Sequence, residues 1–231
     1  MNRSSVLSFG RGCAFAVGAL YLLVMVTHFL MPRIQLRGAG ANTAPLLASL
    51  ARSPGVFFAH YWLVVFVCLF TVGVVLAVVA LLDGKVSGPL AWGSALGLIG
   101  AGLGAADFAF VGLETPRLAE RFAAASPQAQ SLLLAQGLPH LDPCFLAFGL
   151  LGIWALAAGA ALFHARVVPR ALALIGLAGG ALYVLACAGS LAHSKLLIDV
   201  TVALGGSVVA PVWNLWFGAC LGRAARDGSK A

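Results

Sequence analysis

The side chains able to do chemistry in this chain are few: His28, His60, His140 and His193, with the carboxylates Asp107, Glu114, Asp142 and Asp199. All eight fall near one set of ends of long apolar stretches, and among the histidines only His164 falls at the opposite set. Asp107 is the most telling. It lies about two helical turns, or roughly 9 Å at 1.5 Å per residue, inside the end of its stretch. An ionisable group at that depth is costly, so it normally turns to the bundle interior, finds a partner and marks a path or site. Glu114, seven residues on, continues the same helical face towards water. His60 lies about one and a half turns inside its own stretch, and His28 about one turn. Asp107, Glu114, His60 and His28 are therefore the expected lining of one polar pocket for a small ligand or ion.

Neutral imidazoles and carboxylates also bind zinc, iron or copper, and three of them plus an open water position make a hydrolytic centre. His60, His140, His193 and Asp107 are the set such a metal ion would draw on. Spacing does not select it, because the chain holds no HExxH or HxxxH pair and each histidine would have to come from a different helix. His140-Leu141-Asp142 is an HxD triplet, yet Asp142 ahead of Pro143 also reads as a helix N-cap. Two histidines at one depth on facing helices can hold haem iron, and His60 with His140 is the pair to test. His164 stands alone at the other face, so no transmembrane electron path is indicated. A plainer alternative stands beside all of these: helix ends are wet, titratable groups gather there, and Asp107 bonds a neighbour for structure alone.

These groups must be positioned by membrane helices. Of 231 residues, 61% are hydrophobic and 9% charged, whereas soluble domains carry roughly 25% charged residues. The mean hydropathy is +1.01. Several stretches reach the roughly 20 apolar residues that cross about 30 Å of hydrocarbon, and the alternation of a membrane barrel is absent. The expectation is an all-α polytopic transmembrane bundle forming a single integral domain over residues 1–231. Its spans fall at about 12–31, 54–82, 89–113, 143–165, 169–192 and 196–221. Met31-Pro32-Arg33 ends the first and Asp83-Gly84-Lys85 the second. Pro54, Pro89, Pro143 and Pro169 open the next four at the first helical position, where the missing N–H has no partner to lose. Ser53 and Asp142 precede two of them as N-caps. Gly205-Gly206-Ser207 and Pro211 predict a break in the sixth, and broken membrane helices can mark binding sites.

Two connections, 42–52 and 115–137, are long enough to hold short interfacial helices. In the second, Thr115-Pro116 and Ser126-Pro127 each read as a cap with a first turn. Leu118, Phe122, Leu132, Leu133 and Leu134 would then lie on the membrane while Arg117, Glu120 and Arg121 face water. Gly93, Gly97, Gly100 and Gly104, then Gly176 and Gly180, make two bare faces for close helix approach, within the chain or in a homo-oligomer. Cys13, Cys68, Cys144, Cys187 and Cys220 show no CxxC spacing and read as small buried hydrophobes. Trp213 and Trp216 suit headgroup anchoring, with Asn214 tying helices together.

The net charge of +7 comes from scattered Lys and Arg without a basic run, so the partner implied is the lipid bilayer and not nucleic acid. One side collects Arg3, Arg11, Lys85, Arg166, Arg170, Arg223, Arg226 and Lys230; the other has Arg33, Arg37, Arg52, Arg117, Arg121 and Lys195. The short 166–170 turn weights the first side, which places both termini in the cytoplasm of a bacterial-type inner membrane. Ala39-Gly40-Ala41 has a cleavage-like pattern, but the apolar run before it is too long for a signal peptide and Pro32-Arg33 intervenes, so the first span is expected to stay.

Gly149-Leu150-Leu151-Gly152, then Val168-Pro169-Arg170, then the run from Ile175 through Gly176, Gly179 and Gly180 to Tyr183 resemble a bacterial six-span membrane family classed as domain of unknown function 4386. The resemblance implies six helices in one domain and brings no activity; the histidine set is not attributed to it. The functional expectation is a multi-pass membrane protein that binds or transports a small molecule or ion in an outward-facing polar pocket. The alternative is a metal-dependent membrane hydrolase at the same face.

Overall fold

The computed structural model describes residues 3–36, 43–82 and 87–227. Asp83-Gly84-Lys85, Ala39-Gly40-Ala41, Arg37 and Lys230 lie outside them. In chain order the helices are α1 (Arg3–Leu30), α2 (Arg33–Leu36), α3 (Thr43–Arg52), α4 (Gly55–Leu81), α5 (Gly88–Ala124), α6 (Pro127–Gln136), α7 (Leu146–Ala165), α8 (Arg170–Leu191), α9 (Lys195–Leu204) and α10 (Ala210–Asp227), with a π turn, Gly205–Val209, joining the last two. Among the described residues there is no strand, and six helical segments are long and apolar enough to cross a membrane: α1, α4, α5, α7, α8 and the compound segment from Lys195 to Arg226. Each packs on the next, and the sixth returns to the first, so the spans form a closed ring. With six crossings the two chain ends share one side, called the terminal side below; the other is the loop side.

The terminal side is solidly filled. Val74, Val75, Leu162, Leu172, Phe217 and Leu221 are all fully buried there. Helix α1 starts well ahead of residue 12 because its first turn is tied down: Arg3 donates from Nε to the Ala80 carbonyl at 3.0 Å and from Nη2 to the Leu81 carbonyl at 3.3 Å. Those carbonyls end α4 and would otherwise lack intrahelical partners.

Further boundaries differ from the sequence expectation, and none of the four prolines holds the first helical position: Pro54 and Pro169 stand at the caps of α4 and α8, Pro89 is second in α5 and Pro143 precedes α7. The third span does not stop at residue 113; α5 runs unbroken through Pro116. Pro116 removes the bond to the Gly112 carbonyl, but Val111, Ala119 and Phe122 on both sides of it are clamped in one cluster with Leu46, Leu47 and Leu50 of α3. Phe122 therefore faces protein and not lipid, and Leu118 packs against the same cluster. The fourth span starts at Leu146, later than Pro143, because Phe145 takes a left-handed conformation with φ 54°. Asp142 caps it all the same, accepting from Leu146 N at 2.8 Å and Ala147 N at 2.7 Å. At the start of α4 Pro54 holds the cap position without a side-chain cap, and the Ser53 carbonyl instead accepts from Gln35 Nε2 at 3.3 Å.

Helix α6 keeps its expected cap, Ser126 accepting from Ala129 N at 3.4 Å, and none of its residues is buried; Leu132 faces outward, while Leu133 and Leu134 pack on the Phe122 cluster and not on the membrane. The break expected in the sixth span is the π turn. Pro211 cannot donate to the Ser207 carbonyl, and the turn widens so that Ala210 N reaches back to the Gly205 carbonyl.

The glycine faces are used within the chain. On α5, Gly97 lies against the Trp154 side chain and Gly100 against the Ala147 carbonyl, both on α7. Gly152 and Gly180 bring α7 and α8 together backbone to backbone. A β-carbon on Gly152 would stand 2.8 Å from the Gly180 oxygen and 2.8 Å from Val184 N, whereas one on Gly102 would meet nothing within 4 Å. Gly152→Ala is therefore expected to cost about 1–3 kcal/mol through overpacking. Gly102→Ala, on the same kind of helix, should be neutral or stabilise by up to about 1 kcal/mol. Thermal unfolding of the two variants in one detergent separates them; equal shifts would mean that the α7–α8 crossing is not the tight contact described.

Candidate binding cavity and loop-side polar residues

The ring of spans does not close on itself at mid-depth. Between the packed terminal side and the loop side lies a partly open cavity of about 90 Å³, with wall residues from all six spans. Val64 and Val74 of α4 both line it, ten residues or about 15 Å apart along the helix axis. Helix α1 contributes Val17 and Tyr21, α5 Gly104 and Phe108, α7 Phe148, Leu151, Trp154 and Ala155, and α8 Gly176, Gly179 and Tyr183; Gly205, Val209, Trp213 and Asn214 complete it from the last span.

Aromatic side chains close it at two levels. Towards the loop side Phe148 meets Phe108 edge-on, with ring centroids 6.2 Å apart, and Tyr183 at 5.3 Å. Towards the terminal side Trp154 stands edge-on to Trp213 at 6.3 Å, and Trp213 stacks on Phe217 at 4.7 Å. Trp213 is thus only 8% exposed and serves as cavity wall, not as the headgroup anchor that sequence suggests; its indole nitrogen lies against the bare backbone of Gly176. Asn214 does not tie helices together, since its Nδ2 donates at 2.9 Å to the Ala210 carbonyl of its own helix.

The polar content of the wall is small and uncharged. No Asp, Glu, Lys, Arg or His is among its residues. Thr71 returns its hydroxyl to the Val67 carbonyl at 2.8 Å, as membrane threonines commonly do. The Tyr21 and Tyr183 hydroxyls bond each other at 2.6 Å across the bundle, from α1 to α8. That bond uses one of two hydroxyl protons, which leaves one free to donate to a ligand oxygen. Cys68 faces the same space; the five cysteines are all free thiols, and Cys144, expected to be buried, is exposed.

None of the histidines and carboxylates picked from sequence lines this cavity. Asp107 is buried, but its Oδ1 accepts from Leu141 N at 2.6 Å and Asp142 N at 3.0 Å, with His140 Nδ1 at 3.8 Å from its other oxygen. It fastens α5 to the segment that leads into α7. Asp142 in turn caps α7, so two carboxylates in series fix where that helix begins. Glu114 pairs with Arg117 at 2.6 Å on the exposed surface. His60 Nδ1 lies 2.9 Å from the Thr27 hydroxyl, and its ring is 6.0 Å from that of His28. His193 is exposed in the turn after α8, with φ 53°. The structure joins His28 with His60, Asp107 with His140 and Glu114 with Arg117. Among the described residues no three His, Cys, Asp or Glu side chains converge as metal ligands. The aromatic wall escaped sequence reasoning because its members are ordinary span residues; the break at Gly205-Gly206 was the one local signal pointing to this place.

A family model described as "Domain of unknown function (DUF4386)" matches residues 16–220. No curated protein and no solved structure matches the chain.

Removing the Asp107 carboxylate leaves two backbone N–H groups without an acceptor. Asp107→Ala is expected to destabilise the protein by about 2–4 kcal/mol. Asp107→Asn keeps an acceptor oxygen in place and should lose clearly less. Unfolding midpoints of both variants in detergent decide it; an equal loss would make the negative charge, and not the pair of backbone bonds, the essential feature.

Proposed function

This chain belongs to the DUF4386 family, and we propose that it binds a small, neutral, lipophilic molecule in the cavity at the centre of its six helices. One observation carries this reading: a mid-depth cavity walled by aliphatic and aromatic side chains from every span, free of charged groups, with the tyrosine hydroxyl pair as its main polar point. Ligand sites combine apolar walls with a few placed polar groups in this way. An ion or a charged solute would have no counter-charge there and would carry its full desolvation penalty. The binding reading drawn from sequence is kept, but its place moves from the loop-side histidines and carboxylates to the bundle centre. A metal-dependent hydrolase draws less support, since His60 and His140 sit in separate pairs.

The same proposal takes the chain as one integral domain in a bacterial-type cytoplasmic membrane, with both termini cytoplasmic. The support is the distribution of arginine and lysine, above all the short 166–170 turn.

Protein purified in mild detergent is expected to carry close to one lipophile per chain in intact-protein mass spectrometry. Ala155→Phe and Leu151→Phe, which put bulk into the cavity, should weaken affinity roughly tenfold, equivalent to about 1.4 kcal/mol, and so lower the bound fraction, while the unfolding midpoint holds or rises. Wild-type protein without any lipophile, or filled variants that retain it, would refute the reading. Stoichiometric zinc or iron lost on His60→Ala and His140→Ala would favour the hydrolase instead.

A further inference from the structure

The seam between α1 and the sixth span is closed on the terminal side and splayed on the loop side. Closed contacts follow small residues: Gly222 lies against Arg11, Gly218 against Ala14 and Gly18 against Leu215. The last such contact sets Gly206 of the π turn against the ring of Tyr21. Beyond that level no residue of α1 after Gly18 is buried, and in α9 only Thr201 is. Helix α9 leans on α8, while α1 meets the sixth span chiefly through the π turn and α10. The two helices diverge at the depth of the cavity, and the residues flanking the gap, such as Leu22, Val26, Leu204 and Val208, are exposed and apolar. Across the inner end of this gap stands the Tyr21–Tyr183 hydrogen bond. Gly205 lies against the Tyr183 ring, where a β-carbon would stand 3.1 Å away, and Gly206 faces the Tyr21 ring at ordinary contact distance.

We propose that the gap between α1 and α9 is a side portal that opens the cavity to the loop-side leaflet, barred by the Tyr21–Tyr183 bond, and that the ligand arrives through it as a bilayer-dissolved, neutral single-chain or planar lipophile. The proposal rests on the cavity reading above. It specifies the ligand's source: a molecule dissolved among the acyl chains meets apolar surface up to the tyrosine pair, while one coming from water would have to pass the aromatic layer of Phe108, Phe148 and Tyr183. Opening requires one hydrogen bond to break and the glycine-rich π turn to flex. Such irregular turns are frequent at functional sites in membrane helices.

Cys68 on the cavity wall reports access. In a Cys13→Ala, Cys144→Ala, Cys187→Ala, Cys220→Ala background reconstituted in vesicles, N-dodecylmaleimide dissolved in the bilayer should alkylate Cys68. A cationic trimethylammonium methanethiosulfonate added from water should not. Tyr183→Phe and Tyr21→Phe keep the rings and remove the bar, and should speed alkylation about fivefold, the factor one net hydrogen bond is worth. Met25→Trp, seven residues along α1 on the face of Gly18, narrows the portal and should slow it. Unchanged rates in all three variants, or labelling from water as fast as from lipid, would overturn the portal while loss of labelling in Ala155→Phe upheld the cavity. Labelling that Ala155→Phe leaves untouched would overturn the cavity reading itself.

Discussion

The close approach of α7 to its two neighbours is the contact on which the rest of the bundle depends. In hydrocarbon, lipid tails solvate a leucine as well as another helix does, so helices associate through dispersion contacts and backbone proximity. Helix α7 meets both conditions on opposite faces. Gly97 and Gly100 of α5 admit the Trp154 side chain and the Ala147 carbonyl on one face, and Gly152 meets Gly180 of α8 on the other. With α5, α7 and α8 locked as a sheet of three helices, only Trp154 enters a crossing, against Gly97, and the other large aromatics are left to the inner edge. Phe108, Phe148, Trp154 and Tyr183 turn inward and become the aromatic walls of the cavity.

The polar residues on the loop side serve the same end. Helix α7 is the shortest of the continuous spans, and its start has to be placed within one turn for its glycines to meet their partners. Asp142 caps its first two turn residues, Leu146 and Ala147, and Asp107 holds the backbone of Leu141 and Asp142. A carboxylate accepting two backbone N–H groups is strong in a low-dielectric surrounding. This accounts for an aspartate two turns inside a span without calling on a ligand: the partner is a backbone segment, which composition cannot show.

That difference also measures how much of the molecule its sequence discloses. Run length and charge scarcity expose the six spans, because crossing hydrocarbon is a local requirement written in about twenty consecutive residues. The break at Gly205-Gly206-Ser207 and Pro211 is local too. Pro116 misleads, since the clamp that carries α5 through it comes from Leu46, Leu47 and Leu50 some seventy residues away. The cavity is less legible still. Val17, Cys68, Phe108, Trp154, Gly179 and Val209 come from six helices and have no shared spacing, and each is ordinary in a membrane span. What marks the cavity is an absence of filling, and only the three-dimensional arrangement records that.

A cavity inside a membrane bundle needs something to keep it open, because its wall atoms forfeit dispersion contacts that collapse would restore. Here the closing movement is blocked from both ends. On the terminal side Trp154, Trp213 and Phe217 are wedged into the filled core. On the loop side the Tyr21–Tyr183 bond sets the separation of α1 and α8 at the length of two phenol rings meeting head to head. The π turn between them supplies backbone where a regular helix carrying side chains would intrude. The hydroxyl pair therefore props the cavity at a fixed width, and on the proposed binding role its spare proton would be the point at which a neutral ligand's oxygen competes for the bond.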